Sequence, residues 1–237
     1  MPLGLGSNLS RAISKPITPG IVTDNLVLKH QYNAGSVVPC SDGAAHFDDV
    51  SSITLSSTIT LSPHDTPCSF VFWARRNSIT TWDIALGHNS VNSHKFIIFD
   101  DAGGDRMIFE GNTDGDFLTG TTSIKANEWN HFAITTDGSA GGKMYQNGAE
   151  ISVAVNDTFN WDVEFNRIGG GNNGNFFNGY ICNMGIWNGT ALTQPQIKSI
   201  MNKNYAGLTD SEKTNLLHWW NLSEDANDSH GSNNGTL

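Results

Sequence analysis

What most constrains this chain is a succession of short apolar runs, set at close intervals and separated by Gly-, Asn- and Asp-rich turns. SFVFWAR (69–75) follows the turn signal Ser62-Pro63-His64-Asp65, and Trp82–Leu86, Phe96–Phe99 and Met107–Phe109 come after it. Between them lie Asp101-Ala102-Gly103-Gly104 and Asn112-Thr113-Asp114-Gly115. Strands this short and this regularly punctuated predict an antiparallel sandwich or barrel. Leu26-Val27-Leu28 and Ala44-Ala45-His46-Phe47 read as earlier strands. The clearest element is Trp129–Gly148. Alternation puts Trp129, His131, Ala133 and Thr135 on one face and Asn130, Phe132, Ile134 and Thr136 on the other. Asp137–Gly142 reverses the chain and Lys143–Gln146 returns as the partner strand. Asn147-Gly148, a strong tight-turn signal, then leads into Ile151–Val155 to complete a meander.

Further along, Phe176–Trp187 supplies two more strand-like runs. One short helix is predicted after Thr193, which forms a capping box with Gln196, with Pro195 in the first turn. Ile197, Ile200 and Met201 are its apolar stripe. A second helical turn is expected from Thr209 with Glu212, and Leu216–Leu222 reads as a closing strand. Residues 223–237 read as a polar tail. At the other end, residues 1–24 scatter Leu3, Leu5, Leu9, Ile13, Ile17 and Ile21 among Gly, Pro, Ser and Thr with no period of 2 or 3.6. Such a segment buries too little to offset its own ordering entropy. It reads either as an extended arm docked on a neighbouring subunit or as a packed terminal tail. The organisation expected is an arm over 1–24, one domain over 25–222 and the tail.

With 237 residues, 38% of them hydrophobic and only 15% charged, the chain stays soluble through neutral polar groups. Its formal net charge is −10, and Arg75-Arg76 is its one adjacent basic pair. Nucleic acid and anionic membranes call for clustered Lys and Arg, so neither is an expected partner. Cys40, Cys68 and Cys182 match no zinc or redox spacing. Cys68 and Cys182 lie in apolar runs, where thiols act as small hydrophobes, with a Cys40–Cys68 disulfide as the minor alternative. The opening residues lack the charged and apolar regions of a secretory signal, and no run approaches the ~20 apolar residues of a membrane span.

Two stretches resemble a known family. Trp129-Asn130-His131-Phe132-Ala133-Ile134-Thr135 with Tyr145-Gln146-Asn147-Gly148 resembles the central hairpin of laminin-G-like, concanavalin A-like jelly rolls. Arg167-Ile168-Gly169-Gly170, Phe177-Asn178-Gly179-Tyr180-Ile181, Met184-Gly185-Ile186-Trp187-Asn188 and Ala191-Leu192-Thr193 resemble that family's ending, and Ser69–Ala74 its early strand. The resemblance covers about residues 40–205 and implies an all-β, two-sheet antiparallel jelly-roll sandwich with one short helix near the C-terminus. The opening residues are also similar to structural proteins of marine tailed phages that carry this module, and the HWWNLSEDANDSHGSNNGTL ending resembles a segment that often adjoins such domains.

The resemblance brings enzymes into view, since the superfamily includes glycoside hydrolases that set carboxyls on one strand as Glu-x-Asp-x-x-Glu. Hydrolysis needs two carboxyls about 5–5.5 Å or about 6.5–9.5 Å apart. Glu110, Asp114 and Asp116 come nearest, but Gly111 and Gly115 read them into a turn as solvated acids. No Gly-x-Ser-x-Gly elbow occurs, and the resemblance gives His131 a structural place in the sheet. No catalytic residue and no organic cofactor is therefore expected. Laminin-G-like domains can hold calcium through rim carboxylates and carbonyls, for which Asp100, Asp101, Asp105, Asp114 and Asp116 are the candidates. His88 and His94 have no partner spacing for a histidine metal site. For a glycan, Trp82, Trp161, Phe176 and Phe177 lie near polar loop residues, whereas Trp73, Trp129 and Trp187 read as core.

The function expected is that of a non-enzymatic virion structural protein of a tailed phage. It would be a capsid decoration or fibre-associated module on the virion surface, made in the host cytoplasm. Residues 1–24 would anchor it to capsid or tail proteins, with surface glycans as further partners and a homo-oligomer, such as a trimer, as its state. A free carbohydrate-binding adhesion module is the alternative, and a glycoside hydrolase the third reading.

Overall fold

The structure, a computed structural model, describes residues 41, 43–79, 82–90, 95–100, 106–110, 116–139, 141–155, 162–172 and 174–237. Strands β1 (Ala45–Asp48), β2 (Ile53–Leu61), β3 (Cys68–Arg76) and β4 (Asp83–Gly87) come first. They are followed by β5 (Lys95–Asp100), β6 (Arg106–Glu110), β7 (Asp116–Thr121), β8 (Trp129–Thr136), β9 (Gly142–Gln146) and β10 (Ala149–Glu150). Then come β11 (Val153–Val155), β12 (Val163–Ile168), β13 (Asn178–Asn188), helix α1 (Gln194–Ile200), β14 (Leu216–Trp220) and β15 (Gly235–Thr236). Among the described residues these strands make two antiparallel sheets. Sheet A runs β1-β13-β3-β8-β9-β10, with β14 also on β13, and sheet B runs β11-β7-β6-β5-β4-β12-β2-β15. The sheets face one another across a shared core, the sandwich of the two forms that the strand spacing allows and the jelly roll that the family resemblance implies.

Alternation fills that core. Cys68, Phe70, Phe72 and Ala74 of β3 point inward and meet Phe99, Phe109 and Phe165 of sheet B. The other face of β3 is covered as well, which is why SFVFWAR reads as one continuous apolar run. Helix α1 lies there, its Ile197 and Ile200 packed with Val71, Ala133, Tyr145, Trp187 and Trp219. The helix starts where its cap predicts, the Gln196 side chain accepting the Thr193 N–H at 2.9 Å. Cys68 and Cys182 are buried free thiols, and burial pushes the Cys68 thiol up to about 11. Cys40 and residues 1–24 lie outside the described residues.

Strand β13 is long enough to carry three partners. One edge pairs with β3, while the other takes β1 near its start and β14 near its end. The register slips between Cys182 and Gly185, where Asn183 adopts φ 48°, a left-handed conformation that asparagine tolerates better than most residues.

The ending of the chain differs from the tail read in the sequence. Residues 223–237 belong to the sandwich, because β15 pairs with β2 in sheet B while β14 sits in sheet A. Asp228 holds the connection together. Its carboxylate accepts N–H groups of Trp219, His230, Gly231 and Asn233 and lies 2.6 Å from His218 Nδ1. Burial raises its pKa, but these donors outweigh burial and hold it well below the usual carboxylate range. Asn233 then bonds Ser56 and Ser57 of β2, and its carbonyl accepts the Trp220 indole N–H at 2.9 Å. Polar composition misleads here because the polar groups bond inward.

A buried ion pair also spans the sandwich. Arg76 of sheet A donates through Nε to Asp83 of sheet B at 2.5 Å, with both side chains sealed from solvent. The Asn178 N–H bonds the other carboxylate oxygen at 3.2 Å, and the guanidinium lies 5.4 Å from the Phe99 ring centroid.

Candidate functional site

Because Asp83 points inward to Arg76, alternation turns Trp82 outward from sheet B. Its ring is 38% exposed, one of three large exposed hydrophobics among the described residues, with Val50 and Leu237. Asp83 pairs with Phe99, so the register carried back one residue sets Trp82 beside Asp100. Asp100 in turn pairs with Arg106, and Arg106 with Thr121. Asp100, Arg106 and Thr121 therefore form one row across three strands of the outer face, with Trp82, just before β4, at its end. Asp100 is 1% exposed and is held by Arg106 Nη2, while Arg106 is 31% exposed. Its Nε is buried without a hydrogen-bond partner. In the adjoining row Ile84, Ile98 and Ile108 form a small apolar cluster. The surface thus presents a partly exposed indole and the Arg106 guanidinium, while Asp100 and the three isoleucines are buried and hold them in place. An aromatic face beside a hydrogen-bond donor is the mixture that recognises a molecule with one apolar face and a rim of hydroxyls.

The residues singled out in the sequence fare differently. Trp82 and Asp100, taken for separate purposes, come together. Asp100 is engaged by Arg106 and enters as half of an ion pair. Phe177 is excluded from any surface site. It is fully buried, edge-on to Phe47 and Phe99, because its inward turn puts it in the core. Phe176 turns the other way, half-buried and bridged to Gly170. Trp161, Asp101, Asp105 and Asp114, along with His94, lie outside the described residues. Glu110 and Asp116 are not turn acids. Glu110 closes β6, Asp116 opens β7, the two pair across the sheet, and Glu110 is buried. Among the described residues no three His, Cys, Asp or Glu side chains gather into a metal-holding group. Of the tryptophans assigned to the core, Trp73 and Trp187 are buried but Trp129 is only half-buried. Arg106 escaped the sequence reading altogether. The signal for it was the acid and base closing one hairpin, Asp100 at the end of β5 and Arg106 at the start of β6.

A cleft of about 610 Å³ opens beside sheet A, between Asp137, Lys143 and Glu150 on one side and residues 191–194 on the other. Its aromatic floor, Tyr145, is 3% exposed and presents no ring face for stacking, which favours the Trp82 face as the candidate site.

Two facing antiparallel sheets around a shared apolar core define the jelly-roll sandwiches as a class. The chain belongs to the family described as the concanavalin A-like lectin/glucanases superfamily, whose model matches residues 47–198, more than half of the chain. No curated protein sequence matches it. Among solved structures, a candidate carbohydrate-binding protein from Bacteroides ovatus is similar at 19% identity and TM-score 0.53, over 78% of this chain and 57% of that one. This chain thus spans little more than half of that protein. Domain 4 of an extracellular arabinanase from Geobacillus stearothermophilus, solved with arabinotriose, is similar at 20% identity and TM-score 0.48, over 67% and 76% of the two chains. The CBM40 module of the Ruminococcus gnavus IT-sialidase, solved with sialyllactose, is similar at 15% identity and TM-score 0.47, over 67% and 96%.

Proposed function

We propose that this chain is a carbohydrate-binding module that holds a saccharide on the outer face of sheet B without cleaving it. The observation that carries this reading is the Trp82 row. The indole stacks on the apolar face of a sugar ring, and the partly exposed Arg106, held in place by buried Asp100, hydrogen-bonds its hydroxyls. The family spans binders and glucanases, so the residues have to decide between them. Asp100, tied to Arg106, is poorly suited to deliver a proton to a leaving group. Glycan-array binding followed by titration calorimetry tests the proposal. Trp82→Ala weakens binding by about tenfold or more, the loss of one stacked aromatic surface. Arg106→Gln weakens it as well. Unchanged binding in both variants would remove the site from sheet B. Release of reducing ends that Glu110→Gln abolishes would make the paired Glu110 and Asp116 a glucanase centre instead.

The resemblance to marine-phage structural proteins supports a finer version, in which residues 1–24 fix the module to a virion. Co-sedimentation with particles, with and without residues 1–24, tests it. Arm-dependent binding supports anchoring, and equal binding by both chains opposes it.

A further inference from the structure

Helix α1 covers one part of the outer face of sheet A, but a cross-strand row beside it stays accessible. His46 of β1 pairs with Tyr180 of β13, Tyr180 with Arg75 of β3, and Arg75 with Trp129 of β8. Four adjacent strands thus bring four side chains into line over about 14 Å, at ~4.8 Å per strand. The adjacent Phe47, Ile181 and Ala74, and Phe132 three residues further along β8, face the core, so this row lies on the opposite face, with part of Trp129 packed against the core edge. His46 is exposed and the other three are half-buried.

The row is ordered by its own contacts. The His46 and Tyr180 ring centroids are 4.7 Å apart, Trp129 and Tyr180 are 6.2 Å apart, and the Arg75 guanidinium lies 5.2 Å from the Tyr180 centroid. Asn127 fixes the guanidinium, its carbonyl accepting from Nε at 3.1 Å and its side-chain oxygen from Nη2 at 3.2 Å. Left without partners among the described residues are Arg75 Nη1, Trp129 Nε1, the Tyr180 hydroxyl and the His46 ring nitrogens.

We propose that this row is a second binding surface, which takes a carboxylate-bearing polysaccharide laid across the strands. The inference rests on reading the fold as a saccharide binder but not on the Trp82 face. Arg75 and Trp129 can only donate hydrogen bonds, and Arg75 is cationic, so the matching group is an anionic acceptor. A stable protein partner would need about 800 Å² on this side, organised around an apolar centre. The row is a narrow strip, and the large exposed hydrophobics among the described residues are elsewhere. A linear saccharide chain fits the strip.

Affinity electrophoresis of the full chain in gels containing polygalacturonate, or dextran as the neutral control, tests this. Polygalacturonate retards the protein. Arg75→Gln and Trp129→Phe each weaken that retardation about tenfold, the order expected for a hydrogen bond to a charged group. Tyr180→Phe, which keeps the stack and removes one hydroxyl, weakens it less, and thermal melts verify that the variants fold. No retardation by polygalacturonate, equal retardation by dextran, or retardation that Arg75→Gln and Trp129→Phe leave unchanged overturns the proposal. Retardation abolished by Trp82→Ala but not by Arg75→Gln puts the acidic chain on sheet B, which overturns the second surface and leaves the first reading standing. Retardation weakened by Arg75→Gln and Trp129→Phe but kept in Trp82→Ala, with neutral glycans unbound, sinks the Trp82 face and leaves this inference standing.

Discussion

Edge-on to Trp73 at 5.4 Å and sealed beneath the outer layer of sheet A, His131 has no partner for Nδ1, and burial pushes its pKa down to about 3. The folded chain therefore keeps the ring neutral, while the unfolded chain takes up a proton near pH 6.5. Its pKa is depressed on folding, so the stability tied to it is complete above pH 6.5 and drains away as pH falls toward 3, by at most about 1.4 kcal/mol per unit. Urea midpoints measured from pH 7 to pH 5 should fall in the wild type and stay flat in His131→Leu. That window isolates the histidine from Glu212. Burial raises the Glu212 pKa, but Lys203, Thr209 and Ser199 outweigh it and hold the carboxyl at about 2, so its contribution is lost only as pH falls below about 4.5. Two adjacent phenylalanines give a second test at this scale. Phe177→Ala opens a cavity between the sheets and costs about 3–5 kcal/mol, whereas Phe176→Ala, at a half-buried position, costs far less in the same denaturation assay.

At the scale of elements, the segment that closes the sandwich hangs on one side chain. Asp228→Ala leaves the N–H groups of Trp219, His230, Gly231 and Asn233 without their acceptor, and several orphaned donors together cost about 3 kcal/mol or more. Hydrogen exchange should show β14 and β15 losing protection together, and loss confined to residues 228–233 would refute the role given to Asp228. How far such elements were legible in the sequence depended on how locally they are specified. The β8–β9 hairpin announces itself through alternation on either side of a glycine-rich reversal, and α1 through Thr193, Pro195 and Gln196. Strand β15 does not, because two residues paired with a strand at the other end of the chain leave no periodic trace. The binding faces were less legible still. Trp82 stood out as an aromatic near polar residues, but the row it adjoins is assembled by register across three strands. His46, Tyr180, Arg75 and Trp129 meet across gaps in sequence that no motif spans. Phe176 and Phe177 looked alike because adjacent strand residues differ in side, and sequence alone does not say which side is in.

For the whole molecule, Arg76 and Asp83 join the two sheets through the core. Removing either partner strands a buried charge, so Arg76→Met or Asp83→Leu alone costs about 3–5 kcal/mol. The double variant recovers most of that loss, short of the unpaired Asn178 N–H. Thermal melts of the four proteins, arranged as a double-mutant cycle, check the coupling, and purely additive losses would refute it. The pairing of Leu55 with Gly235 bears on a different quantity, time. On a ribosome adding about 5–20 residues per second, β2 emerges on the order of ten seconds or more before the strand that will cover its edge. Contacts this distant in sequence also slow folding once the chain is free. Through that interval the Ile- and Thr-rich edge of β2 is an open template for neighbouring nascent chains. The yield of folded protein in a cell is therefore set by how crowded the polysomes are and how well chaperones shield that edge, as much as by the stability of the finished sandwich.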